Sequence, residues 1–400
     1  MSSSVTLTAA TRQNLLSLQD TAALTATTQN RLSTGLKVSS ALDNPVNFFT
    51  AQSLSQRSGD LGNLLDGISN GIQAIQAANQ GITSIQKLVD QAKSVANQAL
   101  STQITTTGTA SSAYVAPTGA ATLNLYINGA ATTVSLATGD TIDQTLTKLN
   151  TAVGAGSFTK STDGTKVVMN ASADVEFKDT PSQTALGFAA GTANSGPSYG
   201  TSTLTTMASQ SSDLSVSGVS ARATLASQYN SLLTQIDQLA GDSSFNGTNL
   251  INGKSDNNNL TINFNPKGNS NLQVTATDET SSGLGLTAIT STSAKTSAIG
   301  QGNFLLNADI NTTLNKLTTA SSQLRTDAST FGSNLSVVQN RQDFTKNLVN
   351  VLDTGSSNLT AADLNQEAAN SQALSTRQSL GISALSLANT AQQGILQLLR

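Results

Sequence analysis

Between Leu54 and Ala99 one row of positions never turns polar. Leu54, Leu61, Ile68, Ile75, Ile82, Val89 and Ala96 recur every seven residues, and a second set offset by three, Leu64, Ala78, Ile85, Ala92 and Ala99, widens the stripe. This spacing predicts a long helix with one apolar face. Its six large aliphatics, at roughly 1.5 to 3 kcal/mol each, would contribute on the order of 10 kcal/mol, but only against another surface. Gly59, Gly62, Gly67, Gly71 and Gly81 lie in the same run. Each costs about 1 kcal/mol in a free helix, so packing must hold this one together.

The rest of the chain is read around that helix. Leu15, Leu18, Ala22, Leu32 and Leu36 form a thinner stripe, interrupted by Thr25 and Gln29. It is either a frayed end or a helix that orders on a partner. Gly35 breaks it, and Asp43, Asn44 and Pro45 supply a cap and first-turn proline for the long helix.

After Thr102 the composition turns to Thr, Ser, Ala and Gly. Leu123, Leu125 and Ile127 alternate before the Asn128-Gly129 turn, and Val134 and Leu136 carry the return strand. A short helix on Ile142, Leu146 and Leu149 and strands over 166–170 and 174–177 complete a β-β-α-β-β unit, with 105–112 and 192–206 as flanking loops. Helical period returns at Leu225, Tyr229, Leu232, Ile236 and Leu239 and ends at Gly241.

A hairpin pairs Leu260, Ile262 and Phe264 with Leu272, Val274 and Ala276. A second long helix carries Ile310, Leu314, Leu317, Leu324, Ala328, Phe331, Leu335, Val338, Val349 and Leu352, with a break expected at 353–357. The last helix has Leu364, Ala368, Leu374, Ile382, Leu385, Ala388, Ile395 and Leu399 on its stripe.

The expected architecture is mainly α with smaller β parts. It is an antiparallel rod of long helices with a terminal coiled-coil pair (1–40 and 358–400), a helical core with a β-hairpin (41–102 and 208–357) and an inserted small α+β domain (103–207).

Composition narrows the function. Of 400 residues, 37% are hydrophobic and only 11% charged, which suits narrow seams better than a thick core. The chain has no Cys, His or Trp, which removes thiol nucleophiles, imidazole bases, disulfides and ordinary zinc sites together. A net charge of −3 argues against non-specific binding to nucleic acid or anionic membranes. No apolar run approaches the roughly 20 residues of a membrane span. The first twenty residues lack the basic and apolar regions of a Sec signal, so the chain is expected to be cytosolic or exported by another route.

Asp363 and Glu367 suit a helix first turn better than an acid/base pair. The acids of the insert, Asp140, Asp143, Asp163, Asp174, Glu176 and Asp179, lack calcium-loop spacing. No catalytic residue, cofactor or metal is assigned.

Three stretches resemble one family, the bacterial flagellins. RLSTGLKVSSALDNP at Arg31–Pro45, with its continuation through Leu100, is similar to the family's N-terminal signature. SQYNSLLTQIDQLAGDSSFNGTNLI at Ser227–Ile251 resembles the next helix and turn, and the tail from Ala361 resembles the C-terminal helix to its closing Leu-Leu-Arg. The insert lies between the first and second core helices rather than after the hairpin, and its Ile127–Gly129 turn resembles a motif of flagellin and hook-associated outer domains.

The resemblance implies a secreted, extracellular filament subunit that self-assembles into a helical homopolymer or shares one filament with sister flagellins. It implies the flagellar type III export apparatus, a secretion chaperone, the filament cap and hook-associated proteins as further partners, and a hook-filament junction protein as the alternative. The assembly interface is expected on Leu15, Leu18, Leu32, Leu36, Leu54, Leu61, Ile68, Ile75, Ile82, Leu364, Leu374, Ile382, Leu385, Ile395 and Leu399, because a heterologous contact that does not close builds a filament. Aligned with strongly recognised members, Lys87, Gln91 and Gln228 stand where those present Arg, Leu and Glu to the vertebrate innate receptor for flagellin, which implies weak recognition.

Overall fold

The computed structural model describes residues 9–128, 130–191, 211–253, 258–289 and 304–398. Four long helices account for about half of it: α1 (Ala9–Thr34), α2 (Pro45–Ser101), and, after the intervening elements, α6 (Asn307–Thr360) and α7 (Leu364–Leu398). Between them lie β1 (Thr105–Thr109), β2 (Ala121–Ile127), β3 (Ala130–Leu136), α3 (Ile142–Val153), β4 (Phe158–Lys160), β5 (Val167–Ala171), β6 (Val175–Phe177), α4 (Thr180–Ala185) and β7 (Leu214–Ser217). Then come α5 (Val219–Asp242), β8 (Ser244–Phe245), β9 (Thr248–Asn249), β10 (Leu260–Asn263) and β11 (Asn271–Val274). The chain forms two compact units, one of Met1–Ser69, Asn263–Leu272 and Val338–Arg400, the other of Asn70–Ile262 and Gln273–Val337.

α2 begins where its sequence sets a start. Asn44 caps it, its side-chain oxygen accepting from the Asn47 amide at 3.1 Å. The seven-residue row holds: Leu61, Ile68, Ile75, Ile82, Val89 and Ala96 are all buried. α6 carries a matching row that the sequence disguises, because Thr345 interrupts Ile310, Leu317, Leu324, Phe331, Val338 and Leu352, and all seven positions are buried. The Thr345 hydroxyl donates to the Arg341 carbonyl at 2.8 Å, so a polar side chain enters the row already satisfied. The break expected at 353–357 is absent. α6 runs on to Thr360, and the chain turns only at 361–363.

In the first unit α2 and α6 run antiparallel, with Ser356 Oγ donating to the Ala51 carbonyl at 3.1 Å and Gln342 donating to Ser69 at 2.9 Å. The Arg341 guanidinium stacks over the Phe264 ring at 5.6 Å.

In the second unit Gln86 donates to Ser321 at 2.8 Å, and α5 adds a third helix that buries Leu225, Tyr229, Leu232, Leu233 and Ile236. Close approach to α2 is made at two glycines. A Cβ on Gly71 would collide with Ile262, and one on Gly81 with Ser243 and Ile251. Gly67, by contrast, faces open space.

The insert is two antiparallel sheets, β4-β5-β1-β7 and β3-β2-β6. They close on a common core of Leu123, Leu125, Phe158, Met169, Phe177 and Phe188, with α3 adding Leu146 and Leu149. The turn at Asn128 takes the left-handed conformation expected there, φ 48°, while Gly129 lies outside the described residues. The flank expected as loop at 105–112 is instead strand β1 as far as Thr109. Its four threonines and one glycine hide it from a hydrophobic count, yet it pairs with β5 on one side and β7 on the other. Thr105 faces Ser217, so the insert's ends meet side by side and its boundary lies beyond the expected Met207; residues 192–210 are outside the described set.

Arg222 fastens this root. Fully buried, it donates to the carbonyls of Thr102 (2.8 Å), Phe304 (3.1 Å) and Leu305 (3.0 Å) and to the Asn307 amide oxygen (2.8 Å). Its charge also meets the C-terminal carbonyls of α2, where a cation is favoured.

These packing differences separate glycines that look alike in sequence. Gly81→Ala is expected to destabilise the monomer by about 1 to 3 kcal/mol through overpacking, despite its better helix propensity. Gly67→Ala is expected to stabilise it by up to about 1 kcal/mol. Urea unfolding of the two variants beside the parent checks both signs.

Candidate assembly surface

α1 and α7 lie antiparallel in the first unit, tied at one end by their connectors. Gly35 ends α1 with φ 69°, and its carbonyl accepts from the Ala362 amide at 2.9 Å. The amides of Lys37 and Val38 both reach the Thr360 carbonyl, at 2.7 and 3.2 Å. Asp43 orders the turn that follows. Its carboxylate accepts from the backbone amides of Ser40 and Ser39 and from both hydroxyls, which holds it below the usual carboxylate range.

The seam between the two helices has a three-four rhythm but not the residues a hydrophobic count selects. On α1 it buries Thr11, Thr21 and Thr28, with Leu18 and Leu32 half-buried between them. On α7 it holds Glu367, Ser371, Leu374, Gln378, Gly381, Leu385 and Ala388. Leu18 lies over Gly381, where a Cβ would meet its Cδ1 at 2.8 Å. Arg31 donates to Glu367 at 3.1 Å, a charged link with the carboxylate almost wholly buried. A groove of about 370 Å³ runs beside this pair, lined by Leu24, Thr28, Arg31, Glu367, Leu374 and Arg377.

Hydroxyls on both helices are satisfied within their own turns: Thr21 donates to the Ser17 carbonyl, Thr25 to Thr21, Thr376 to Gln372 and Ser383 to Ser379. They add little beyond shape to the seam.

The large aliphatics point outward instead. Leu15, Leu16 and Leu24 on α1 and Leu364, Leu380, Ile382 and Leu387 on α7 are exposed, Leu387 at 72%. Of the residues expected at the interface, Leu15, Leu36, Leu364 and Ile382 are therefore open, while Leu18, Leu32, Leu54, Leu374 and Leu385 are half-buried.

Leu61, Ile68, Ile75 and Ile82 are corrected. They are 5% exposed or less and belong to the chain's own core, because the α2 stripe finds its partner surface within the subunit. Ile395 lies in α7, and Leu399 lies outside the described residues. The sequence stripe missed Leu16, Leu24, Leu380 and Leu387; what could have found them is that they lie off the three-four rhythm. Lys87 and Gln91, one turn apart on α2, and Gln228 on α5 are all exposed.

Comparison with known families matches residues 5–115 to the bacterial flagellin N-terminal helical region and residues 314–399 to the bacterial flagellin C-terminal helical region. The chain belongs to the bacterial flagellin family. Among flagellin relatives, flagellin C of Rhizobium meliloti is 43% identical over 77 residues, 19% of this chain and 24% of that protein. FljN of Caulobacter vibrioides is 36% identical over 189 residues, 47% and 63% of the two chains, and the flagellin of Brucella melitensis is 26% identical over 179 residues, 43% and 60%. The matched stretch thus spans less than two thirds of each relative's length.

Within the flagellin frame, the two family regions coincide with α1, α2, α7 and most of α6, the helices that carry both the buried rows and the exposed leucines. The hook-junction alternative is not favoured. Among the described residues no helix is long and apolar enough to cross a membrane, and no cluster of three or more acidic, His or Cys side chains is placed to hold a metal.

Proposed function

We propose that this chain is the structural subunit of a bacterial flagellar filament, exported and polymerised outside the cell for motility, and that it acts without enzyme chemistry or cofactor. One observation carries the reading: the terminal helix pair keeps threonine in its own seam and turns leucine to solvent. Singly exposed leucines are ordinary on a protein surface, but a set of them along two paired helices suits burial against further copies. Such a contact, repeated without closing, builds a helical polymer. Sister flagellins present compatible surfaces, and the export apparatus, secretion chaperone, filament cap and hook-associated proteins complete the partner set.

The interface is therefore assigned to the outward residues Leu15, Leu16, Leu24, Leu364, Leu380, Ile382 and Leu387, joined by the half-buried Leu18, Leu32, Leu374 and Leu385. Combined Leu380→Ala, Ile382→Ala and Leu387→Ala are expected to leave the monomer's melting temperature within a few degrees of the parent. They should raise the critical concentration for elongation on filament seeds at least tenfold, since each lost side chain removes about 1 to 2 kcal/mol of burial. Ile75→Ala should do the reverse, costing the monomer about 2 to 5 kcal/mol. Unchanged elongation by the triple variant would overturn the assignment.

The insert is read as an outer domain dispensable for polymerisation. Excision should follow the strand pairing, 105–217, so that β7 is not left as an unpaired edge. Joined by a short Gly/Ser linker, the excised subunit is expected to fold and to elongate seeds; a folded variant that does not elongate refutes the reading.

Weak recognition by the vertebrate flagellin receptor is read from exposed Lys87, Gln91 and Gln228, which lack the forked cation, the apolar contact and the anion of strong binders. Lys87→Arg with Gln91→Leu and Gln228→Glu should raise potency in a reporter-cell dose response at least tenfold. No gain removes the stated cause.

A further inference from the structure

In the second unit, the segment after the hairpin is laid down by backbone contacts on both sides. The Thr277 amide donates to the Leu250 carbonyl at 2.8 Å and the Glu279 amide to the Ile251 carbonyl at 2.9 Å. Ser281 donates through its amide and hydroxyl to the Asp237 carboxylate of α5, at 2.7 and 3.0 Å. At the centre of this segment Glu279 is completely buried, and neither of its carboxylate oxygens has a hydrogen-bond partner; nor has the Thr277 hydroxyl, the nearest donor.

The charges that bear on Glu279 are Asp327 from α6 and Asp278 from its own segment, both of like sign. The strip it leans on, Asn249 to Asn252, carries no charge. Asp237 of α5 is engaged by Ser281, and the α6 cation that reaches this segment, Lys316, lies on Thr287 at 3.3 Å. A carboxylate buried without a donor beside like charges is strongly disfavoured, and the neutral acid avoids that cost.

We propose that Glu279 keeps its proton while the segment around residues 276–286 lies on the Leu250–Ile251 strip, and that this proton is a latch holding the segment there, released as the pH rises. The latch concerns the fold of the chain itself and does not rest on the filament reading. Burial pushes Glu279 up to about 8, and the like charges of Asp327 and Asp278 act in the same direction. The closed state therefore holds a proton that the open state gives up above its ordinary value of 4.5. Stability from this group is full below that value, declines as pH rises, and is lost once pH passes about 8.

Hydrogen exchange on the full chain, read in peptides covering 276–286 and corrected for the intrinsic pH dependence of exchange, tests this. Protection is expected to fall by about tenfold per pH unit between pH 6 and 8. Glu279→Gln, which cannot titrate and carries a permanent donor, should flatten that slope. Asp327→Asn removes a like charge that favours the proton, so the decline should end at a lower pH than in the parent, and the claim stays open to refutation if the first variant does not fold. Asp174→Asn, in the insert, should leave these peptides unchanged. Flat protection in the parent, the same slope with Glu279→Gln, or an unshifted decline with Asp327→Asn overturns the latch.

Discussion

Everything in this chain depends on the seven-residue spacing of α2 finding a matching row on α6. A row that repeats every seven residues stays on one helix face only if the partner follows it, and the buried sets Leu61 to Ala96 and Ile310 to Leu352 lie on helices linked by Ser356 on Ala51, Gln342 on Ser69 and Gln86 on Ser321. Because the spacing is strict, single polar intrusions such as Thr345 are tolerated where a hydroxyl can return to its own helix. The remaining elements decorate this pair. α5 packs on it, the hairpin approaches it at Gly71, and the insert is rooted where α2 ends and α6 begins.

The terminal pair follows the opposite logic. A seam of threonine, serine, glutamine and glycine gives shape complementarity with little apolar gain, so α1 and α7 hold one another weakly while their leucines face outward. With so even a seam, sliding by one heptad would change few contacts. Arg31 on Glu367 and Leu18 over Gly381 are the two features that distinguish the observed register from its neighbours. The same allocation explains the low hydrophobic content noted in the sequence, since only one of the two helix pairs is built on aliphatic side chains.

Much of the fold was legible because period survives composition. The α2 row, the cap at Asn44, the Asn128 turn, α3, the hairpin and the course of α6 all followed from spacing and turn chemistry. What was not legible had its signal masked. β1 reads TTTGT and is a central strand only because β5 and β7 flank it. The end of α6 reads Asp-Thr-Gly-Ser-Ser, a sequence that breaks free helices but continues here with Ser356 bonded to α2. Burial in the helices is the more instructive case. Hydrophobic residues were assigned to the side that packs, and on α2 that side is internal, while on α1 and α7 threonine had taken it.

Arg222 is tied to carbonyl and amide oxygens alone, and guanidinium keeps its proton throughout the range in which proteins fold. None of those acceptors titrates either. The hydrogen bonds of Arg222 that root the insert therefore do not titrate, whereas Asp174 inside the insert, which burial lifts to about 7, does. The insert can soften or tighten with its surroundings while the hydrogen bonds that root it stay unchanged.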